Sequence, residues 1–314
     1  MIEVFSFNEK TGNVKKEDLT KIKNKTSWVR IVSPDPTQLQ LLSKETGVPI
    51  EELQESLEEE ERPKVSSGKY LEVIYRAPYV LDDELETLPV YFYILENKLV
   101  TVEKRPLPVF DNISEDLSKN KKKFLFKKGF AYFIHFVIDK INDDFLIRID
   151  RIASKIDIFE NFSKKQMKVD DLEKLYDQSV ILSFFNQALI ANVEVLNLLR
   201  KGYYKQIPRK DRHHFEELYY DVLQVLDTEK IQREVLSNLI NVHAVLASSR
   251  LNEFMKQLTI IALIITIPTI LSGLFGMNFV HIPFREHPLG FYITTAGILG
   301  LTFIIYLIFS KKKW

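Results

Sequence analysis

The chain has 314 residues, 46% of them hydrophobic, with Lys+Arg and Asp+Glu balanced at 43 each and no cysteine. The missing thiol excludes disulfides, thiol catalysis and cysteine-based zinc sites, and the balanced charge gives no electrostatic footprint for a nucleic-acid partner. The opening, Met1-Ile2-Glu3-Val4-Phe5-Ser6-Phe7, lacks the basic and apolar regions of a secretory signal, so the N-terminal part is expected to stay on the synthesis side of a membrane.

Residues 1–112 read as an α/β domain. Alternating or β-branched runs at Ile2–Phe7, Ser27–Val32, Tyr70–Tyr79, Val90–Leu95 and Lys98–Glu103 predict strands, with a tight turn at Glu96-Asn97-Lys98. The stretch Leu81–Leu88 reads as an acidic connection. Between Thr37 and Glu61 the apolar spacing of Leu39, Leu42, Val48, Ile50, Leu53 and Leu57 is helical. Glu58 to Glu61 read as a solvated helix end rather than a metal site.

From about Ser114 the pattern is helical, and residues 113–256 form a helical region. Phe130, Phe133, Ile134, Val137, Ile138, Ile141, Phe145 and Ile149 recur at three- and four-residue spacing, and a second run spans Val169 to Leu199 before Gly202. A third begins near Asp211 and meets neither proline nor glycine before Pro268. If it is continuous it exceeds about 60 residues and is on the order of 100 Å long. His213-His214 at its start reads as a solvated pair.

Along this third run an unbroken heptad seam comprises Asn238, Asn241, Val245, Ser248, Asn252, Met255, Thr259, Ala262, Thr266, Thr269 and Gly273. A coiled coil would place Leu, Ile or Val there. Here the seam is mostly small or polar, while Ile260, Ile261, Ile264, Ile265 and Leu271 take the other faces. Two readings compete. Small and hydroxyl residues let membrane helices pack closely. Alternatively the seam faces a water-filled axis shared by several copies, which would explain asparagines at 238, 241 and 252, positions that close packing does not require.

No formal charge lies between Lys256 and Arg285 or between Glu286 and Lys311, and each window holds the roughly 20 apolar residues that a span needs. The prediction is a two-helix membrane hairpin: first span 257–278, outer loop 279–288, second span 289–310, basic tail 311–314. Arg250, Lys256 and Lys311 to Lys313 flank the spans and place both termini in the cytoplasm. The first span ends in Gly276-Met277-Asn278. Symmetry would repeat the Asn278 amide as a ring at the outer mouth, suited to the hydration shell of Mg²⁺, which gives up water reluctantly.

Met255-Lys256-Gln257-Leu258-Thr259, Pro268-Thr269, Phe275-Gly276-Met277-Asn278-Phe279 and the tail Lys311-Lys312-Lys313-Trp314 closely resemble the CorA family of divalent-metal transporters. Glu61-Arg62-Pro63-Lys64 and Phe215-Glu216-Glu217-Leu218-Tyr219 extend the resemblance faintly over the whole chain. It implies a funnel-shaped homopentamer in the cell membrane, with a cytoplasmic α/β domain and a pore built from copies of the first span. Residue by residue, it implies a selectivity motif at Gly276, Met277 and Asn278, an apolar gate at Met255 and Leu258, and polar pore rings at Asn252 and Thr269. Glu217 matches an acidic position that binds regulatory Mg²⁺ between subunits in relatives. Its partner would be one of Asp82, Asp83, Glu84 or Glu86.

The sequence departs from that pattern in two places. The outer loop carries His281, Arg285, Glu286 and His287 where well-known Mg²⁺ transporters are acidic, and Asn241 stands where some relatives have aspartate. Imidazole favours Co²⁺, Ni²⁺ or Zn²⁺, so these remain alternative cargoes beside Mg²⁺ as transported and regulatory ion, unless the histidines are ordinary interfacial residues. A membrane-anchored sensor or scaffold is the alternative of another class, but a mere tether has no use for the polar seam. No P-loop, dinucleotide-binding glycine fingerprint or His-Glu-x-x-His motif is present, so no enzyme is expected.

Overall fold

The computed structural model describes residues 1–314 apart from 23, 59–60, 82–83, 163–168, 279–280, 285 and 312–314. In chain order the elements are β1 (Ile2–Asn8), β2 (Asn13–Lys16), β3 (Thr26–Val32), α1 (Pro36–Thr46), α2 (Ile50–Glu55), β4 (Lys64–Ser67), β5 (Leu71–Leu81), β6 (Glu84–Ile94) and β7 (Lys98–Glu103). Then follow α3 (Pro108–Ser118), α4 (Phe124–Lys128), α5 (Phe130–Phe162), α6 (Val169–Lys201), α7 (Arg212–Phe275) and α8 (Gly290–Lys311). Two compact units result, Met1–Ile240 and Asn241–Trp314.

The strands form one sheet in the order β2-β1-β3-β7-β6-β5-β4, antiparallel except where β3 pairs with β7. Central strands are buried on both faces, which explains their nearly continuous apolar runs. Phe5, Trp28, Val73, Tyr75 and Phe92 point into a core shared with the helices from α3 onward. Their alternate neighbours Val4, Val29, Ile74, Tyr91 and Tyr93 point to the opposite face, under Leu39, Leu42 and Leu53 of α1 and α2. α1 starts where Asp35 and Gln38 form a reciprocal capping box and stops at left-handed Gly47.

Buried polar groups lock the helices to the sheet. Asn192 on α6 accepts the Arg76 N–H and donates to the Arg76 carbonyl, both at 2.9 Å. Tyr75 donates to Asn142 on α5 at 2.6 Å. Arg30, 1% exposed, pairs with Glu103 at 2.8 Å, Asp111 at 2.7 Å and Glu3 at 3.4 Å. Burial pushes the Glu103 carboxyl up to about 7, with Arg30 opposing that rise.

Several expectations are corrected. Apart from 82–83, which lie outside the described residues, Leu81–Leu88 is strand: β5 and β6 pair through Tyr79↔Glu86, Val80↔Leu85 and Leu81↔Glu84. Glutamates on the strand's wetter end disguised the pairing as a loop. The short edge strands β2 and β4 were missed, because four residues with polar exposed faces give no clear period of two. Helix begins at Pro108 rather than near Ser114, with proline in the first turn, where its missing N–H costs nothing. The glutamate run is not a helix end: α2 stops at Glu55, Glu61 pairs with Lys64 at 3.0 Å, and Glu59 and Glu60 lie outside the described residues.

Candidate functional site

The third helical run is one α-helix of 64 residues, continuous through Pro268. Along its first half, Phe215, Leu218, Val222, Val225, Leu226, Leu236 and Leu239 enter the core of the N-terminal unit. The exposed Asn238 lies on a different face from that packed stripe. Asn241, Val245, Ser248, Asn252, Met255, Thr259, Ala262, Thr266, Thr269 and Gly273 are likewise exposed. Beyond these, apolar side chains of the C-terminal half of α7 are exposed too: Leu258 is 50% exposed and Ile265 62%.

Among the described residues, three helices are long and apolar enough to cross a membrane. In α6 the apolar stretch is 44% buried, so its apolarity is used by the chain's own core; in α7 and α8 none of it is buried. The seam hydroxyls are turned back on the helix: Thr259 donates to the Met255 carbonyl at 2.8 Å, Thr266 to Ala262 at 2.7 Å and Thr269 to Ile265 at 2.7 Å. Each donor is thereby used, and the oxygen lone pairs remain to accept.

Beyond the end of α7, the Gly276 N–H reaches the Ser272 carbonyl at 2.9 Å and the Met277 N–H the Leu274 carbonyl at 3.3 Å, a tightening turn that leaves Asn278 exposed past the helix. Gly276 is not left-handed; an added Cβ would meet the Gly273 and Ser272 carbonyl oxygens at 3.4 Å. Sequence reasoning missed Gly290, the first residue of α8. A Cβ there would lie 2.1 Å from the Phe284 carbonyl oxygen, and Phe284 itself has a φ of 65°. No motif marked it, because the constraint comes from the loop folding back. In that loop the His287 Nδ1 accepts the Leu289 N–H at 3.2 Å, while Arg285, Phe279 and Val280 lie outside the described residues.

The regulatory candidates separate. Asp82 and Asp83 lie outside the described residues, Glu84 starts β6 and Glu86 is half-buried on it. Glu217 lies on α7, exposed, with an oxygen 3.8 Å from the His214 Nδ1. His135 of α5 joins them: one ligand atom from each of His135, His214 and Glu217 falls within 4.8 Å of the other two. His213 and His214 therefore differ, the first exposed and the second half-buried against Tyr132 and His135. His135 carries no motif and sits inside an apolar helix stripe, so only the packing of α5 beside α7 reveals it.

A family model described as CorA-like Mg²⁺ transporter protein matches residues 23–312. The chain is 28% identical over 289 residues to the cobalt/magnesium transport protein CorA of Methanocaldococcus jannaschii, covering 91% of this chain and 90% of that protein. It is 26% identical over 294 residues to the protein of the same name from Thermotoga maritima, covering 92% and 83%. The solved complete structure of the CorA magnesium transporter from Methanocaldococcus jannaschii superposes with a TM-score of 0.91 at 26% identity, over 100% of this chain and 98% of that one.

Proposed function

Because the chain belongs to the CorA-like Mg²⁺ transporter family, we propose that it is a passive, membrane-potential-driven channel for hydrated divalent cations, with Mg²⁺ as cargo and Co²⁺ as the second candidate. The relatives named for both cobalt and magnesium support that pair of ions. The observation that carries the reading is the polar seam of α7, unbroken along a helix whose remaining faces near the membrane are apolar and bare.

In this reading the chain is a funnel-shaped homopentamer, and the α7 seams of all copies line one axis. Residues 257–278 and 289–310 span the bilayer, the loop 279–288 lies outside, and both termini lie in the cytoplasm with domains 1–112 and 113–256. The water around a small divalent cation presents its hydrogens outward. Oxygens whose own donors are already used are the right counterpart. Thr259, Thr266 and Thr269 are such oxygens, and the amides of Asn238, Asn241 and Asn252 extend the path with carbonyl oxygens. Ser248, Ala262 and Gly273 keep the bore wide where a Leu would fill it.

Asn278, held past the helix end by the turn at Gly276 and Met277, supplies a ring of amide oxygens at the mouth. Met255 and Leu258, exposed and apolar, close the other end by dewetting. Regulation belongs to the same reading: Glu217, Glu84, Glu86, Asp82 and Asp83 offer carboxylates to intracellular Mg²⁺ across subunit boundaries, favouring the closed state by differential binding.

Purified protein in proteoliposomes should carry Mg²⁺ and Co²⁺ inward in proportion to an imposed inside-negative potential, and cross-linking should trap a species of pentamer mass. Absence of potential-dependent flux from a well-folded oligomer would leave the anchored-scaffold alternative in its place.

A further inference from the structure

Outside the proposed ion path, the first turns of α7 and the N-terminal half of α5 bring together a set of donors of a different kind. We propose that His135, His214 and Glu217 form an intrachain binding site for a borderline transition-metal dication, Zn²⁺, Co²⁺ or Ni²⁺, that clips α7 to α5. The site does not depend on the pore reading, lies within one compact unit, and shares Glu217 with the proposed regulatory Mg²⁺ site, so the two ions would compete for that one carboxylate.

His214 and Glu217 are three residues apart on α7, which places both on one helix face, and their nearest atoms are 3.8 Å apart. The rings of His135 and His214 lie with centroids 4.7 Å apart, under the edge of Tyr132. One ligand atom from each residue lies within 4.8 Å of the others, so small side-chain rotations bring all of them to the roughly 2.1 Å bonds of such an ion. The Nδ1 of His135 is buried and has no hydrogen-bond partner. Glu217, with its side chain 67% exposed, leaves the site open to solvent for entry.

The surroundings suit a dication. Asp139 follows His135 by one turn, Asp221 follows Glu217 by one turn, and Asp143 lies one turn further along α5. Lys140, the cation on that stretch of α5, is already paired with Asp139 at 3.1 Å and Asp143 at 2.6 Å. The donor set decides the class of ion. Mg²⁺ demands oxygen ligands in near-octahedral array, whereas two imidazoles and one carboxylate match the borderline metals and leave a position for water or a fourth ligand.

The test is Co²⁺ titration of the purified full chain in detergent, read by the visible absorption of protein-bound Co²⁺. The expected result is one such site per chain, displaced by equimolar Zn²⁺ and not by equimolar Mg²⁺. His214→Ala and the surface change Glu217→Gln should each weaken Co²⁺ binding by about tenfold or more, and His135→Ala should remove the signal. Asn278→Ala and the double variant His281→Ala/His287→Ala should keep it, which separates this site from the ion path and the outer loop. Three results would overturn the assignment: no Co²⁺ spectrum from the wild type, an unchanged spectrum in Glu217→Gln and His214→Ala, or displacement by equimolar Mg²⁺.

Discussion

Residues 1–240 and 241–314 use the same apolar side chains to opposite ends. In the first unit Trp28, Phe92, Phe133 and Leu189 are fully buried within one chain, and several buried polar groups meet protein partners, as Arg30 meets Glu103 and Asn192 meets the backbone of Arg76. In the second unit none of the apolar stretch of α7 or α8 is buried. Its hydroxyls bond back to their own helix, the only partner a lone helix in lipid can offer. A region that satisfies its polar groups but leaves its apolar ones bare has the surface that lipid, and in the proposed pentamer further copies of the chain, would cover. The first unit buries its own core; the apolar stretches of the second are bare.

The largest test of this contrast is at the exposed end of α7. Asn278→Ala removes the proposed amide ring without touching any packed residue, so Mg²⁺ flux into proteoliposomes should fall to background while the oligomer survives. Near-normal flux would remove the mouth filter from the reading. In the first unit the corresponding test is on stability. Arg30→Met strands the Glu103 carboxylate in the core and should cost about 3–5 kcal/mol in denaturant unfolding. Glu103→Gln should cost less, because Arg30 keeps Asp111 and Glu3.

A smaller effect is expected at the gate. Leu258→Ser replaces a proposed apolar ring by hydroxyls and should raise basal conductance with little loss of stability, since Leu258 is 50% exposed and lies outside the buried core. Unchanged conductance would place the gate elsewhere. The finest comparison is between neighbours of similar size. Thr269→Val on the seam should slow Mg²⁺ flux severalfold, and Ile270→Val, off the seam and 58% exposed, should not. Equal responses would dissolve the distinction between the seam and the rest of the helix.

The sequence by itself determined whatever depends on local pattern. The spacing from Asn238 to Gly273, the charge-free windows, and the start and end of α6 and α7 were legible because helix period and desolvation cost are properties of neighbouring residues. The central strands were legible for the same reason: Ser27–Val32 and Lys98–Glu103 are long apolar runs bounded by turn residues. Only the tertiary structure decided the rest. β4 and the Glu84–Leu88 half of β6 exist because β5 offers them a hydrogen-bonding edge, which no local period announces. Gly290 matters because Phe284 folds onto it. His135 gained meaning only when α5 was laid beside the first turns of α7, bringing a residue of the apolar stripe to His214 and Glu217 across nearly eighty positions of chain. Contacts between residues so far apart are fixed by packing, and packing is a property of the assembled layers rather than of either stretch of sequence.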